Sequence, residues 1–98
     1  MVLDYKQLPD GELIALLKAQ DELAFAEIYD RYSMLVYFKV NQMLKDEIYS
    51  KDIVQDLFTT IWEKATSIKE NANLAGYLYI AARNRVLKSI QKKTIRKR

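Results

Sequence analysis

The chain has no cysteine and no histidine among its 98 residues, and it has only two glycines and one proline. Without cysteine there can be no disulfide, and without either residue there is no thiolate or imidazole ligand for a metal ion. A nucleophile–histidine pair is excluded as well, which removes most triad chemistry. The scarcity of glycine and proline predicts long uninterrupted helices rather than a turn-rich β fold.

Long apolar runs are also missing. No stretch approaches the roughly 20 residues of a membrane span, and residues 1–11 include two aspartates and no apolar segment of a signal peptide. We therefore expect a cytoplasmic protein without membrane insertion. Half of the residues are hydrophobic and 30% are charged, a composition typical of one soluble domain.

The net charge of +3 hides a strong asymmetry along the chain. Residues 1–82 carry 8 basic and 13 acidic residues, whereas residues 83–98 carry 8 basic residues and no acid. A basic end on an acidic body indicates a polyanionic partner at that end and a different partner elsewhere. A solvated basic tail is the alternative interpretation.

Apolar residues recur at three- and four-residue steps in four segments, so we predict a compact all-α bundle of about four helices and no sheet. The helices are expected at about residues 10–19, 21–44 and 47–65, and from residue 74 to at least residue 90. A polar connector, residues 66–73, separates the last two helices. The charged sequence after Ile90 is expected to fray or to form a linker.

Short polar residues precede each predicted helix and are candidate N-caps. These are Asp10, Asp21 and Asp46 for the first three helices, and either Asn71 or Asn73 for the fourth. Their spacing from the apolar residues sets the expected core. On the first, second and fourth helices this core comprises Leu13, Leu16, Leu17, Phe25, Ile28, Tyr32, Leu35, Val36, Val40, Met43, Leu44, Leu78, Ala82, Val86 and Ile90.

The third predicted helix has the sharpest separation of two faces. Its apolar residues share one side, and a polar stripe about 100° wide on the other side includes Asp52, Gln55, Asp56 and Thr59. A helix face that serves solubility alone usually mixes charges of both signs, but this one is acidic and amide-bearing. It would suit a partner helix that offers arginine side chains. A simply solvated face is an equal alternative.

The fourth predicted helix combines the three kinds of side chain that bind opened nucleic acid. Tyr77 offers a ring for base stacking, Asn84 can bond a base edge, and Lys88 can neutralise a phosphate, all on one face. Arg85 and Lys92 lie beside this face. Tyr77 could instead pack in the core, and the cations could simply be solvated.

Catalysis is not expected. Asp52 and Asp56 are four residues apart on one face, and such a pair could share a proton or hold a metal. However, no histidine, cysteine, glycine-rich loop or P-loop accompanies the pair. We therefore predict no enzyme, no metal site and no cofactor.

Three segments in order resemble the second conserved region of extracytoplasmic-function (ECF) sigma factors of bacteria. They are DELAFAEIYDRY at residues 21–32, DIVQDLFTTIWEK at residues 52–64 and GYLYIAARNRVLKSIQKK at residues 76–93. The resemblance extends from about Leu8 to Arg98. It implies a transcription initiation domain that binds core RNA polymerase and recognises and melts the minus-ten promoter element.

The resemblance also implies which residues act. The third helix would dock on the clamp coiled coil of RNA polymerase core through Asp52, Gln55, Asp56 and Thr59. The connector and the last helix would capture a flipped base of the single-stranded non-template minus-ten DNA and stabilise the melted strand. The implied DNA contacts are Ser67, Lys69, Asn71, Asn73, Tyr77, Asn84, Arg85, Lys88 and Lys92. An anti-sigma factor is a further implied partner.

Some features depart from the family. Many relatives carry arginine where this chain has Ile80, and an acid or asparagine where it has Lys88. Residues 1–93 would form the region 2 domain and residues 94–98 the start of a basic linker. Relatives continue into a second domain that reads the minus-thirty-five element, so a fragment or a truncated chain is expected.

Two other functions compete with this interpretation. One is a helical protein-interaction module that never touches DNA. The other is a stand-alone helix-turn-helix repressor, which the eight-residue connector disfavours because that motif uses a turn of 3–4 residues.

Overall fold

The structure is a computed structural model that describes residues 4–69 and 73–96, with side chains described to residue 91. In this part of the chain there are four α-helices and no strand, as the periodicity predicts. None of these helices combines the length and the apolarity that crossing a bilayer requires. The helices are α1 (Asp10–Lys18), α2 (Glu22–Leu44), α3 (Glu47–Glu63) and α4 (Leu74–Arg96), with 3₁₀ turns at Tyr5–Gln7 and Ala65–Ser67.

Helix α4 is longer than the sequence suggested. It continues to Arg96, so the expectation that the chain frays after Ile90 is wrong. Glycine and proline are absent from the segment after Ile90, and lysine, arginine and glutamine are good helix formers. Charge alone therefore does not end this helix.

The predicted N-caps of α2 and α3 are confirmed. The Asp21 carboxylate accepts hydrogen bonds from the main-chain N–H groups of Leu23 at 2.9 Å and Ala24 at 3.2 Å. The Asp46 carboxylate accepts one from the N–H of Tyr49 at 2.9 Å. These bonds satisfy donors that the first turn of a helix leaves without an intrahelical partner.

The prediction that Asp10 caps α1 is wrong. Pro9 is the N-cap residue, and Asp10 is the first residue of the helix. The side chain of Asp10 instead accepts bonds from Arg31 and Tyr32 of α2. Its negative charge still lies in the first turn, where the helix dipole favours it.

Arg31 joins the N-terminal segment to α2. Its guanidinium lies 3.1 Å from the Asp10 carboxylate and 2.6 Å from the Glu27 carboxylate. It also donates to the main-chain oxygens of Tyr5 at 3.0 Å and Lys6 at 3.1 Å. This planar fork of donors therefore holds three separate parts of the chain together.

The hydroxyl of Tyr32 completes this contact by donating to Asp10. Burial of the ring, together with this hydrogen bond, raises the pKa of Tyr32 to about 12. The phenol is therefore protonated at neutral pH and remains a donor to the carboxylate. Asp10, Glu27, Arg31 and Tyr32 together are called the α1–α2 clasp below.

The short junctions between α1 and α2 and between α2 and α3 each contain one residue in the left-handed backbone conformation. Gln20, with φ of 64°, follows α1, and Lys45, with φ of 54°, follows α2. The N–H of Gln20 bonds to the oxygen of Leu17 at 2.9 Å, and the N–H of Asp21 bonds to that of Leu16 at 3.1 Å. This pattern is a Schellman motif, and its last residue, Asp21, is also the cap of α2.

Helix α2 is the scaffold of the fold because it packs against α1, α3 and α4. An aromatic cluster joins it to α3, with ring centroids 5.4 Å apart for Phe25 and Trp62 and 4.9 Å apart for Tyr29 and Phe58. Edge-to-face pairs at such distances add stabilisation beyond the burial of area. The buried core is contiguous and comprises Leu13, Ile14, Leu17, Ala24, Ile28, Val36, Val40, Ile53, Val54, Leu57, Phe58, Ile61, Ala65, Ile68, Leu74, Leu78, Ala82 and Val86.

Three predicted core residues are exposed instead. Leu35 is 51% exposed, Ile90 is 41% exposed and Met43 is 37% exposed. Helical spacing gives the direction in which a side chain points, but it does not give the length of the neighbouring helix that has to cover it. Conversely, Ile14 and Ile68 are buried although the periodicity did not select them.

The α1–α2 clasp should contribute measurably to stability. We expect Arg31→Met to lower the free energy of unfolding by about 1–3 kcal/mol, because it removes charge-assisted bonds and leaves two partly buried carboxylates without their cation. Urea denaturation followed by circular dichroism at 222 nm measures this change. Lys39→Met, on the exposed side of the same helix, is the control and should change it by under about 0.5 kcal/mol. Equal losses in both variants would contradict the role of the clasp.

Candidate functional site

The polar stripe of α3 is oriented by the burial of the opposite face of the helix. Ile53, Val54, Leu57, Phe58 and Ile61 are buried, between 2% and 6% exposed. At 100° per residue, this burial leaves the other side of the helix in solvent. The residues that it exposes are Asp52, Gln55, Asp56 and Thr59, called the acidic stripe below.

The two carboxylates of the acidic stripe are available to a partner. Among the described side chains, neither Asp52 nor Asp56 forms an ion pair. Short side chains on a rigid helix lose little conformational entropy when they are bound. The stripe can therefore accept guanidinium or ammonium groups without first breaking an internal contact.

Asn73, the residue before the first residue of α4, is confirmed as the cap of this helix. The side-chain oxygen of Asn73 accepts a bond from the N–H of Gly76 at 3.1 Å, and its main-chain oxygen accepts one from the N–H of Tyr77 at 2.9 Å. Asn71, the other candidate cap, lies outside the described residues. The cap fixes where the helix starts and hence which residues reach its outer face.

The outer face of α4 carries three of the residues predicted to contact DNA. Leu78, Ala82 and Val86 are buried, which turns Tyr77, Asn84 and Lys88 to the surface. These three residues are called the α4 stripe below. Tyr77 is 37% exposed, so its ring is open on one side rather than enclosed in the core. Steps of seven and four residues place the three side chains in one row along the helix.

Ile68, in the polar segment after α3, is buried although the periodicity does not predict it. Ile68 is 1% exposed, and its burial holds the described residues that follow α3 against the core. Ser67 and Lys69 on either side are exposed, and the Ser67 hydroxyl donates to the main-chain oxygen of Lys64 at 2.7 Å. A single isoleucine in a polar segment was the available signal, although it has no periodicity to support it.

Arg85 and Lys92 were also predicted to contact DNA, but the structure does not show either side chain as part of the α4 stripe. The guanidinium of Arg85 is partly buried and donates to the hydroxyl of Thr60 on α3. The side chain of Lys92 lies outside the described residues. Arg85 therefore ties α4 to α3 as well as carrying a positive charge.

A groove between α3 and α4 places the acidic stripe beside the α4 stripe. Asp52 and Asp56 line it from α3, and Arg85, Lys88 and Ser89 line it from α4. The hydroxyl of Ser89 donates to that of Tyr49, which forms a second tie between the two helices. The sequence placed these charges on separate helices but did not predict that they meet across one groove.

An exposed apolar patch on α2 forms a third surface. Met34 is 60% exposed, Phe38 is 58% exposed and Leu35 is 51% exposed. Met34 also borders a shallow groove between α2 and α3 that Gln55 of the acidic stripe lines. Large apolar side chains that cluster at a surface are typical of protein-binding sites.

Comparison with known proteins identifies the family of the chain. The sequence model of the family Sigma-70 region 2 matches residues 28–95. The ECF RNA polymerase sigma factor SigK of Mycobacterium sp. (strain KMS) is 34% identical over 76 residues, which are 76% of this chain and 39% of that protein. The ECF RNA polymerase sigma factor SigK of Mycobacterium tuberculosis is 34% identical over 81 residues, 78% of this chain and 43% of that protein. No solved structure matches the chain.

The helical bundle and the matched region define the class of the protein. The chain belongs to the Sigma-70 region 2 family, as the region 2 domain of an ECF sigma factor. Sigma factors are transcription initiation factors of bacteria. The chain spans about two-fifths of the length of the curated relatives that it matches. Both the acidic stripe and the α4 stripe fall within the matched residues.

The cap of α4 gives a direct test of this geometry. We expect Asn73→Ala to lower the free energy of unfolding by about 1 kcal/mol, because the N–H of Gly76 loses its acceptor. Asn73→Asp should leave the free energy nearly unchanged, since a carboxylate also accepts this bond and its charge suits the helix N-terminus. Urea denaturation of both variants measures the difference. Equal stability of the Ala variant and the original chain would contradict the capping role.

Proposed function

We propose that this domain binds core RNA polymerase through α3 and binds the melted non-template strand of the minus-ten promoter element through the connector and α4. The observation that carries the proposal is the segregation of exposed acids on α3 from an exposed ring, amide and cation on α4. Family membership supports a role in transcription initiation. The acidic stripe and the α4 stripe give the domain two surfaces of different chemistry, one for each proposed partner.

The proposed polymerase contact consists of the acidic stripe. Asp52 and Asp56 accept bidentate bonds from arginine on the clamp coiled coil, while Gln55 and Thr59 add neutral hydrogen bonds. All four side chains are exposed and project from one rigid helix. A preorganised surface of this kind loses little entropy on binding.

The proposed DNA contact begins with the α4 stripe. Tyr77 stacks on an unpaired base, Asn84 bonds to a base edge, and Lys88 pairs with a phosphate. Arg85 and Lys92 add positive charge near the same strand. The connector residues Ser67, Lys69, Asn71 and Asn73 contact the flipped base and give sequence preference.

The polymerase contact can be tested by charge reversal. Asp52→Arg and Asp56→Arg should each abolish capture of core polymerase by the tagged domain, because a cation then faces the arginine side chains of the partner. Glu12→Arg, on the exposed surface of α1, is the matched reversal and should leave capture unchanged. Circular dichroism checks that the helices remain. Full capture by both stripe variants would remove the polymerase contact from α3.

The DNA contact can be tested through its salt dependence. Lys88→Ala should weaken binding to a single-stranded minus-ten oligonucleotide and reduce the slope of log K against log salt by roughly one unit. Fluorescence anisotropy at several salt concentrations gives both quantities. Lys39→Ala on α2 removes the same charge elsewhere and should leave the slope unchanged. A slope equal to that of the original chain would place Lys88 away from the DNA.

The apolar patch on α2 favours a second candidate function. Met34, Leu35 and Phe38 are exposed, and Met34 borders a groove that Gln55 also lines, so the patch suits a protein partner such as an anti-sigma factor. A domain that served only as such an interaction module would bind neither single-stranded nor double-stranded DNA. The same anisotropy titration with both forms of DNA therefore separates the two functions.

A further inference from the structure

Helix α4 exposes an isoleucine in the middle of its outer face. Ile80 is 65% exposed, more than Tyr77 at 37% or Leu87 at 39% on the same helix. Removing a large apolar side chain from water is favourable, so an isoleucine that the fold leaves in solvent can gain free energy from a partner. The α4 stripe as defined above does not include this residue.

The side chain of Ile80 projects between those of Tyr77 and Asn84. It follows the tyrosine by three residues and precedes the asparagine by four, and helical residues so spaced have Cβ atoms about 5–6 Å apart. Burial of Leu78 and Ala82 on the opposite side of the helix fixes this direction. A base that stacks on Tyr77 or bonds to Asn84 therefore comes within reach of Ile80.

Cations flank this part of the helix. Arg83 and Lys88 are both exposed, and at 100° per residue they lie on opposite sides of the row formed by residues 77, 80 and 84. Residues 74–96 include no aspartate or glutamate. The face consequently favours a polyanion, and it disfavours the same face of a second copy, whose cations would repel these.

The amide of Asn84 favours nucleic acid over an apolar partner surface. A lipid layer or an apolar helix that covered Ile80 would also remove the exposed amide from water, which is unfavourable unless a new hydrogen bond forms. Base edges offer hydrogen-bonding groups and, in thymine, an apolar methyl group as well. Neighbouring apolar and amide side chains between two cations thus match a strand that contains thymine.

We propose that Ile80 packs against the methyl group of a thymine in the bound single strand and makes the domain prefer thymine at that position. Apolar side chains contact this methyl group in protein–DNA recognition. Burial of one methyl group corresponds to about a threefold gain in affinity. The inference rests on the proposed DNA contact of α4 and adds a base preference to it.

Uracil lacks the methyl group and otherwise has the same base edge, so two homopolymers test the contact. In fluorescence anisotropy, the purified 98-residue chain should bind oligo(dT) about threefold more tightly than oligo(dU) of the same length. A homopolymer presents the same base in every register, so the contacted position need not be known. Ile80→Ala should bring this ratio to about one without changing the salt slope, because no charge is lost. Ile80→Val should retain most of the ratio.

Ile48→Ala is the matched control. Ile48 is 77% exposed on α3, outside the α4 stripe, and its replacement should leave the ratio at about three. An unchanged ratio in Ile80→Ala would assign the methyl preference to another side chain, such as the ring of Tyr77, and overturn the inference. Equal binding of both polymers by the original chain would also overturn it while leaving the DNA contact intact. If the chain binds neither polymer, the DNA contact and the inference both fail.

Discussion

The rotation of α3 and α4 about their own axes is the constraint on which the functional surfaces depend. One side of each helix is buried against α2, and a helix of fixed period then has no freedom in what it turns outward. On α3 this leaves acids and an amide at the surface, and on α4 it leaves a ring, an amide and a cation. A change that rotated either helix by one residue would replace its whole outer face.

Local contacts fix the ends of these helices. The bond from Asp46 to the N–H of Tyr49 starts α3, and the bond from Asn73 to the N–H of Gly76 starts α4. Burial of Ile68 holds the residues that follow α3 against the core. Arg85 then bonds to Thr60 across the helix boundary, so the two surfaces keep a constant relation to each other.

Features set by a single helix could be predicted from the sequence, whereas features set by two helices could not. The faces of α3 and the caps Asp21 and Asp46 follow from spacing and local hydrogen bonding. Helical spacing predicts Leu35 in the core, but its burial depends on how far the neighbouring helices extend. A local pattern predicts Asp10 as a cap and does not reveal its bond to Arg31, which joins residues 21 positions apart. The groove between the two stripes depends on helix packing in the same way.

Photocrosslinking tests most directly whether adjacent helices serve two partners. A benzophenone amino acid is placed at position 59 on α3 or at position 84 on α4, and each chain is mixed with core polymerase and a single-stranded minus-ten oligonucleotide. We expect position 59 to crosslink to a polymerase subunit and position 84 to crosslink to the DNA. Crosslinks from both positions to the same partner, or from position 59 to DNA, would contradict it.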